Sequence, residues 1–222
     1  MFSALFPHSR RPHTKGPAAA FFLVAATLGL TGCAAPATVV TEVAQAAFED
    51  RITEDQVTDN KIKAGILKRF SDTDKSLLLD LSVDVWEGRV LLTGVLDDGR
   101  LRNTAVRLAR DDDRIKAFYN AVNLVSKDEK ETRRSWKEKA ESGLSNLGDS
   151  ANDFWIEAKI KGKLIATSGV SSVNYRWRSV NGTIYIIGRA GSTQELSTVL
   201  SVIRATEGVK GVEPHVRVKS AP

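Results

Sequence analysis

Shifting this chain by 94 residues lays its second half on its first without a gap, and that repeat constrains the fold more than any other feature. Asp59-Asn60-Lys61-Ile62 falls on Asp153-Phe154-Trp155-Ile156, and Ala64 and Ile66 fall on Ala158 and Ile160. Gly88 meets Gly182, Gly94 meets Gly188, Arg110 meets Arg204 and Lys116 meets Lys210. Apolar positions stay apolar where the residue changes: Leu81/Tyr175, Val83/Trp177, Val90/Ile184, Leu92/Ile186, Ile115/Val209 and Leu124/Val218. A chance match does not hold one register from a first helix to a last strand. The chain is therefore a duplicated domain, roughly 65–70 residues per copy.

Periodicity within each copy predicts its elements. Ile62, Ile66 and Phe70 are four apart, one face of a helix over 59–70. "LLLDLSVDVW" alternates Leu79, Leu81, Val83 and Val85 with Asp80, Ser82 and Asp84, the pattern of a half-buried strand. Trp86-Glu87-Gly88-Arg89 turns the chain into a second strand, "VLLTG". In the second copy the turn is Val180-Asn181-Gly182-Thr183, where Asn-Gly is a strong hairpin signal. A second helix is expected over 98–111, with Asp98 as its N-cap, and over 192–206, where Ser192 and Glu195 form a capping box. A last strand, "AVNLV" or "HVRVK", closes each copy. The expected class is α/β of the α+β kind: two tandem α-β-β-α-β sandwich domains, each a three-stranded sheet with two helices on one face. Each copy carries a complete apolar pattern, so the second is expected to fold alone. Its margin is small, because a domain of this size buries only ~60% of its chain's surface.

The only cysteine, Cys33, ends the stretch "GPAAAFFLVAATLGLTGC". Arg10, Arg11 and Lys15 precede it, and no acidic residue occurs before Glu42. Charged, apolar and small residues in that order make an export signal. The apolar run is short of the ~20 residues that a spanning helix needs. Leu30-Thr31-Gly32-Cys33 resembles a bacterial lipobox, in which the Cys thiol is diacylated and the chain is cut before it. The alternative is an ordinary secreted protein with an incidental Cys at the cleavage point. A nucleophilic Cys needs a base beside it, and His8 and His13 would leave with the signal. The full chain carries +5, but its first 32 residues hold three Lys/Arg and no acid, which leaves +2 on the mature chain. That balance supports no nucleic-acid partner.

The element order, the repeat, and an apolar strand ending in Gly before a capped helix resemble the BON family of bacterial envelope domains. The resemblance spans roughly 55–126 and 149–220. With the lipobox it implies a dual-BON outer-membrane lipoprotein that binds anionic phospholipid and supports envelope integrity, with no enzymatic activity. Ala34 after the Cys, in place of Asp, favours the periplasmic face of the outer membrane. The expected organisation is a removed lipoprotein signal over 1–32, a tether over 33–54, a first domain over 55–126, a charged helical spacer over 127–148, and a second domain over 149–220. The spacer departs from the family pattern and places Trp136, Ala140, Leu144 and Leu147 at helical spacing.

No catalytic or metal-binding constellation emerges from the residues. Asp111-Asp112-Asp113 reads as a solvated helix end beside Arg110 and Arg114, and no Cys/His cluster has zinc spacing. His215 reads as a surface residue on the last strand. No cofactor beyond the covalent lipid on Cys33 and no small-molecule substrate is expected. The repeat does single out Trp155. It lies about 100° from the Ile156/Ile160 core direction, sharing a stripe with Lys159, Gly162 and Lys163, where the first copy has Lys61, Gly65, Lys68 and Arg69. A Trp beside Lys residues suits the headgroup depth of a membrane, and the resemblance implies lipid binding through this helix region. The competing reading packs Trp155 against the spacer or the other domain and makes the protein an adaptor for an envelope-assembly or peptidoglycan-remodelling partner. Trp177, at Val83's core position, reads as structural.

Overall fold

The computed structural model describes Glu49, residues 52–141 and residues 153–219. The signal, Cys33, most of the tether, and Leu144 and Leu147 of the spacer lie outside the described residues. The first repeat runs α1 (Thr53–Thr73), a helical turn (Leu77–Asp80), β1 (Leu81–Trp86), β2 (Arg89–Leu96), α2 (Gly99–Arg110) and β3 (Ala117–Leu124). Helix α3 (Lys127–Glu141) follows. The second repeat runs α4 (Asp153–Ala166), β4 (Tyr175–Val180), β5 (Thr183–Ala190), α5 (Thr193–Arg204) and β6 (Gly211–Val218). Each repeat forms one mixed three-stranded sheet, the hairpin strands antiparallel and the strand after the second helix parallel to its neighbour. A parallel pair needs a crossover connection, and the capped second helix supplies it.

The inward positions are those that the periodicity marks. Ile62, Ile66 and Phe70 of α1 pack with Leu81, Val83, Val85, Val90, Leu92 and Val122 in one core. Ile156, Ile160 and Leu164 of α4 pack with Tyr175, Ile184, Ile186, Val199 and Ile203 in the other. Each fully buried aliphatic side chain contributes ~1.5–3 kcal/mol relative to exposure. The second helices start as expected: Asp98 accepts from the amides of Arg100 and Leu101, and Ser192 accepts from that of Glu195. The Glu195 carboxylate does not return to the Ser192 amide; it accepts from Gly191 and Ser171 instead. Leu79 also departs from expectation. It belongs to the helical turn before β1 and is 59% exposed, while Leu77 is buried in its stead.

The largest departure concerns the sheet faces turned away from the helices. They pack against each other, β1 lying against β5 and β2 against β4. Because the 94-residue shift turns β1 into β4 and β2 into β5, this is one contact made twice, about a pseudo-twofold. Trp86, Leu91 and Ala121 of the first repeat meet Ile187 of the second in a separate apolar cluster, with Tyr119 and Tyr185 at its margin. The layers therefore run helices, sheet, sheet, helices. Arg89, 1% exposed, crosses the seam and donates to the carbonyls of His215 and Gly188 at 2.6 and 2.9 Å. His215 is half-buried here, its ring stacked on Tyr119 at 3.8 Å between centroids. The surface reading of His215 is thus corrected: the opposite repeat covers it, and burial, chiefly, lowers its pKa.

Candidate lipid-facing site

Asp153 begins α4 and fixes where its first turn stands. Its carboxylate accepts from the backbone amides of Asn181 and Gly182 at 2.9 and 2.8 Å and from Ser179 Oγ at 2.6 Å. Asp59, its counterpart, accepts from Glu87 and Gly88 at 2.7 Å each. One carboxylate per repeat thus pins the first helix to the β-hairpin turn. Burial raises the pKa of Asp153, but the bonds from Ser179, Gly182, Arg133 and Asn181 outweigh it and hold it below the usual carboxylate value.

With Ile156, Ile160 and Leu164 turned to the core, the opposite side of α4 is open. Phe154, Ala158, Lys161, Gly162 and Ile165 are exposed there, Phe154 at 38% and Ile165 at 64%. Trp155 is half-buried at the edge of that face, its ring meeting the Phe154 ring edge-on at 5.6 Å. A Cβ at Gly162 would meet nothing within 4 Å, so this part of the helix is uncovered. The two stripe lysines face α5 instead. Lys159 pairs with Glu207 at 2.8 Å, and Lys163 donates to the carbonyl of Ala205 at 3.3 Å. Phe154, Ile165 and Lys161 escaped the stripe, although the spacing 154, 158, 161, 165 opposite the core isoleucines carries the signal in the sequence itself. In the first repeat the same positions are Asn60, Lys61, Ala64, Leu67, Lys68 and Ser71, polar where the second has Phe154, Trp155 and Ile165 but with Leu67 in place of Lys161.

The inner side of α4 reaches the seam. Glu157 accepts from the Ser179 amide at 2.7 Å and lies 3.5 Å from Arg178. Arg178 in turn forms a two-bond pair with Asp84 of the first repeat at 2.8 and 3.1 Å. Asp84 and Arg178 are equivalent under the 94-residue shift, so one sequence position carries opposite charges that meet across the pseudo-twofold. Asp84, followed by Glu157, raises the pKa of Arg178, whereas burial raises that of Glu157 against the opposing effect of Arg178. Trp177 packs on the core and donates to the Glu157 carbonyl at 3.2 Å, in keeping with a structural part. Among the described residues, no three His, Cys, Asp or Glu side chains converge as metal ligands.

The BON domain pattern matches residues 58–124 and 152–220, one copy for each folded repeat. This chain belongs to the BON family. A relative from Anaplasma centrale, described as an uncharacterized protein in the gshII 5' region, is 36% identical over 63% of this chain and 82% of its own. Outer membrane lipoprotein DolP of Haemophilus influenzae is 22% identical over 86% of this chain and 90% of its own. Osmotically-inducible protein Y of Escherichia coli K12 is 25% identical over 72% of this chain and 73% of its own.

Proposed function

We propose that this BON protein is a non-enzymatic cell-envelope protein, anchored by lipid on Cys33 at the periplasmic face of the outer membrane. There α4 binds anionic phospholipid and the protein supports membrane integrity. The observation that carries this reading is the difference between the two first helices. The face that is Asn60, Lys61, Lys68 and Ser71 in one repeat is Phe154, Trp155, Gly162 and Ile165 in the other, exposed except at its edge, where Trp155 is half-buried. The fold is built on either set, so the aromatic and aliphatic side chains answer to something outside the domain. An indole and a phenyl ring at headgroup depth with a lysine beside them match a bilayer surface of negative charge. Similarity to an outer membrane lipoprotein over most of both chains supports the compartment.

The test is co-sedimentation of acyl-free protein (Cys33→Ser) with vesicles containing phosphatidylglycerol and with phosphatidylcholine vesicles, alongside thermal melting. Trp155→Ala should weaken binding to the anionic vesicles by on the order of 1–3 kcal/mol, the worth of one large apolar side chain, and leave the melting temperature near that of the parent. Lys161→Gln should remove ~1 kcal/mol and flatten the salt dependence. Lys159→Gln should do less, since Glu207 already neutralises it. Parent-like binding by Trp155→Ala and Lys161→Gln together would move this face to a protein partner, the adaptor reading. For the anchor, Cys33→Ser in cells should lose labelled-palmitate incorporation and membrane attachment.

A further inference from the structure

We propose that the spacer helix α3 is part of the membrane-binding surface, its Trp136 and Lys139 extending the α4 face onto a second helix. This rests on the lipid-binding reading of α4 and enlarges that site. Arg133 of α3 reaches the first turn of α4, its guanidinium pairing with Asp153 at 2.5 Å and donating to the Asn181 side chain. The next residue, Arg134, grips the first repeat through two bonds to Asp80, at 2.5 and 2.6 Å, with the Asp80 side chain 1% exposed. Lys130 pairs with Asp97, and Lys137 donates to the Leu79 carbonyl at 3.2 Å. Adjacent arginines thus hold different repeats, and α3 is fixed against the turn that presents Phe154 and Trp155.

Trp136 lies one turn beyond Arg133, about 60° round the helix from it and about 160° from Arg134. It is therefore on the flank toward α4 and away from the grip on the first repeat. Its ring is only half-buried, and the Lys139 ammonium stands 5.2 Å from the ring centroid. An indole only half-buried, with a lysine over its ring, sets an aromatic beside a cation, the same residue types that α4 carries in Trp155 and Lys161, and the cations complement an anionic bilayer. Apart from Trp136 and Ala140, every residue of α3 is polar or charged.

Binding of acyl-free Trp136→Ala, Trp155→Ala and the double variant to phosphatidylglycerol-containing vesicles tests this. Each single change should weaken binding at least several-fold, and the double variant should lose more than either. Weakened binding by Trp155→Ala with parent-like binding by Trp136→Ala overturns the inference and leaves the α4 reading standing. Parent-like binding by both overturns the two together. A second measurement avoids truncating Trp136: in Trp155→Phe, whose remaining Trp86 is buried and whose Trp177 packs on the core of the second repeat, dibrominated lipid should quench the Trp136 emission. Vesicle binding without quenching overturns the inference.

Discussion

Among single residues, backbone geometry and hydrogen-bonded carboxylates set the largest effects. Gly94 and Gly188 adopt φ of +133° and +154°, and a Cβ at either would come closer than 3.0 Å to the carbonyl oxygen of Asp80 or Asn174, the residue just before the neighbouring strand. Neither backbone can move without breaking its hairpin register. Gly94→Ala or Gly188→Ala should therefore lose about 2–3 kcal/mol or more in urea unfolding, combining strain with overpacking. Gly162→Ala is the opposite case: the site is open and helical, so the change should gain up to ~1 kcal/mol and raise the melting temperature. Asp153 carries a pH signature. Its pKa is lowered in the fold, so its contribution is complete above the ordinary carboxylate pKa and is lost as pH falls through the depressed folded value. Asp153→Asn should be destabilised at pH 7, with a shallower loss of stability than the parent as pH falls below about 4. Urea melts across that range check both.

Between elements, the seam contact is decided by a position that the repeat makes comparable. Asp84 is 4% exposed on its side chain, and removing it leaves Arg178 beside Glu157 alone. Asp84→Ala should cost on the order of 2–3 kcal/mol, the scale of lost bonds between charged groups. The charge swap Asp84→Arg with Arg178→Asp should recover only part of this, because the new aspartate would face Glu157. Adding Glu157→Gln should restore more, and a thermodynamic cycle over these variants measures the coupling. The free sheet edges are treated differently in the two repeats. On β3 the Asn120 side chain accepts from the Val122 amide and Arg102 donates to the Val122 carbonyl at 2.7 Å, so the edge bonds to its own side chains. On β6 the counterpart of Asn120 is Pro214, which has no amide to offer. Both block strand addition. Asn120→Val should hasten aggregation in a light-scattering time course with little change in the secondary structure.

For the whole molecule, the seam changes what an isolated repeat can do. Each helix–sheet core is complete, as the apolar pattern implies, but Ile187 is fully buried only because the first repeat covers it, with Tyr185 beside it. Residues 148–222 expressed alone should fold with dispersed amide signals, yet melt well below the full chain. Re-exposure of those side chains removes on the order of 3 kcal/mol, and the bare face should bind a hydrophobic dye. A full-length parent melting in two separate steps would contradict a shared seam. Glu49 adds a further tie: its carboxylate, buried in the fold, pairs with Arg176, whose guanidinium lies 5.5 Å from the Trp86 ring of the opposite repeat.

The local part of this structure was readable from the chain. Helix faces, hairpins, caps and both cores follow from spacings of two, three and four residues, and the duplication let each copy check the other. The exposed face of α4 was half readable: Trp155 stood out against Lys61, while Phe154 and Ile165 needed the helix rotation to be followed all the way round. The seam was not readable at all. Alternation along β1 marks Asp80, Ser82 and Asp84 as the side away from the helices, and periodicity treats that side as solvent. Only the tertiary structure places a second sheet on it, where Asp84 is compensated by Arg178 and Arg89 by two carbonyls 126 and 99 residues away. A buried charge reads as a surface charge until its partner is located, and that partner is set by the packing of two domains rather than by any neighbour in the sequence.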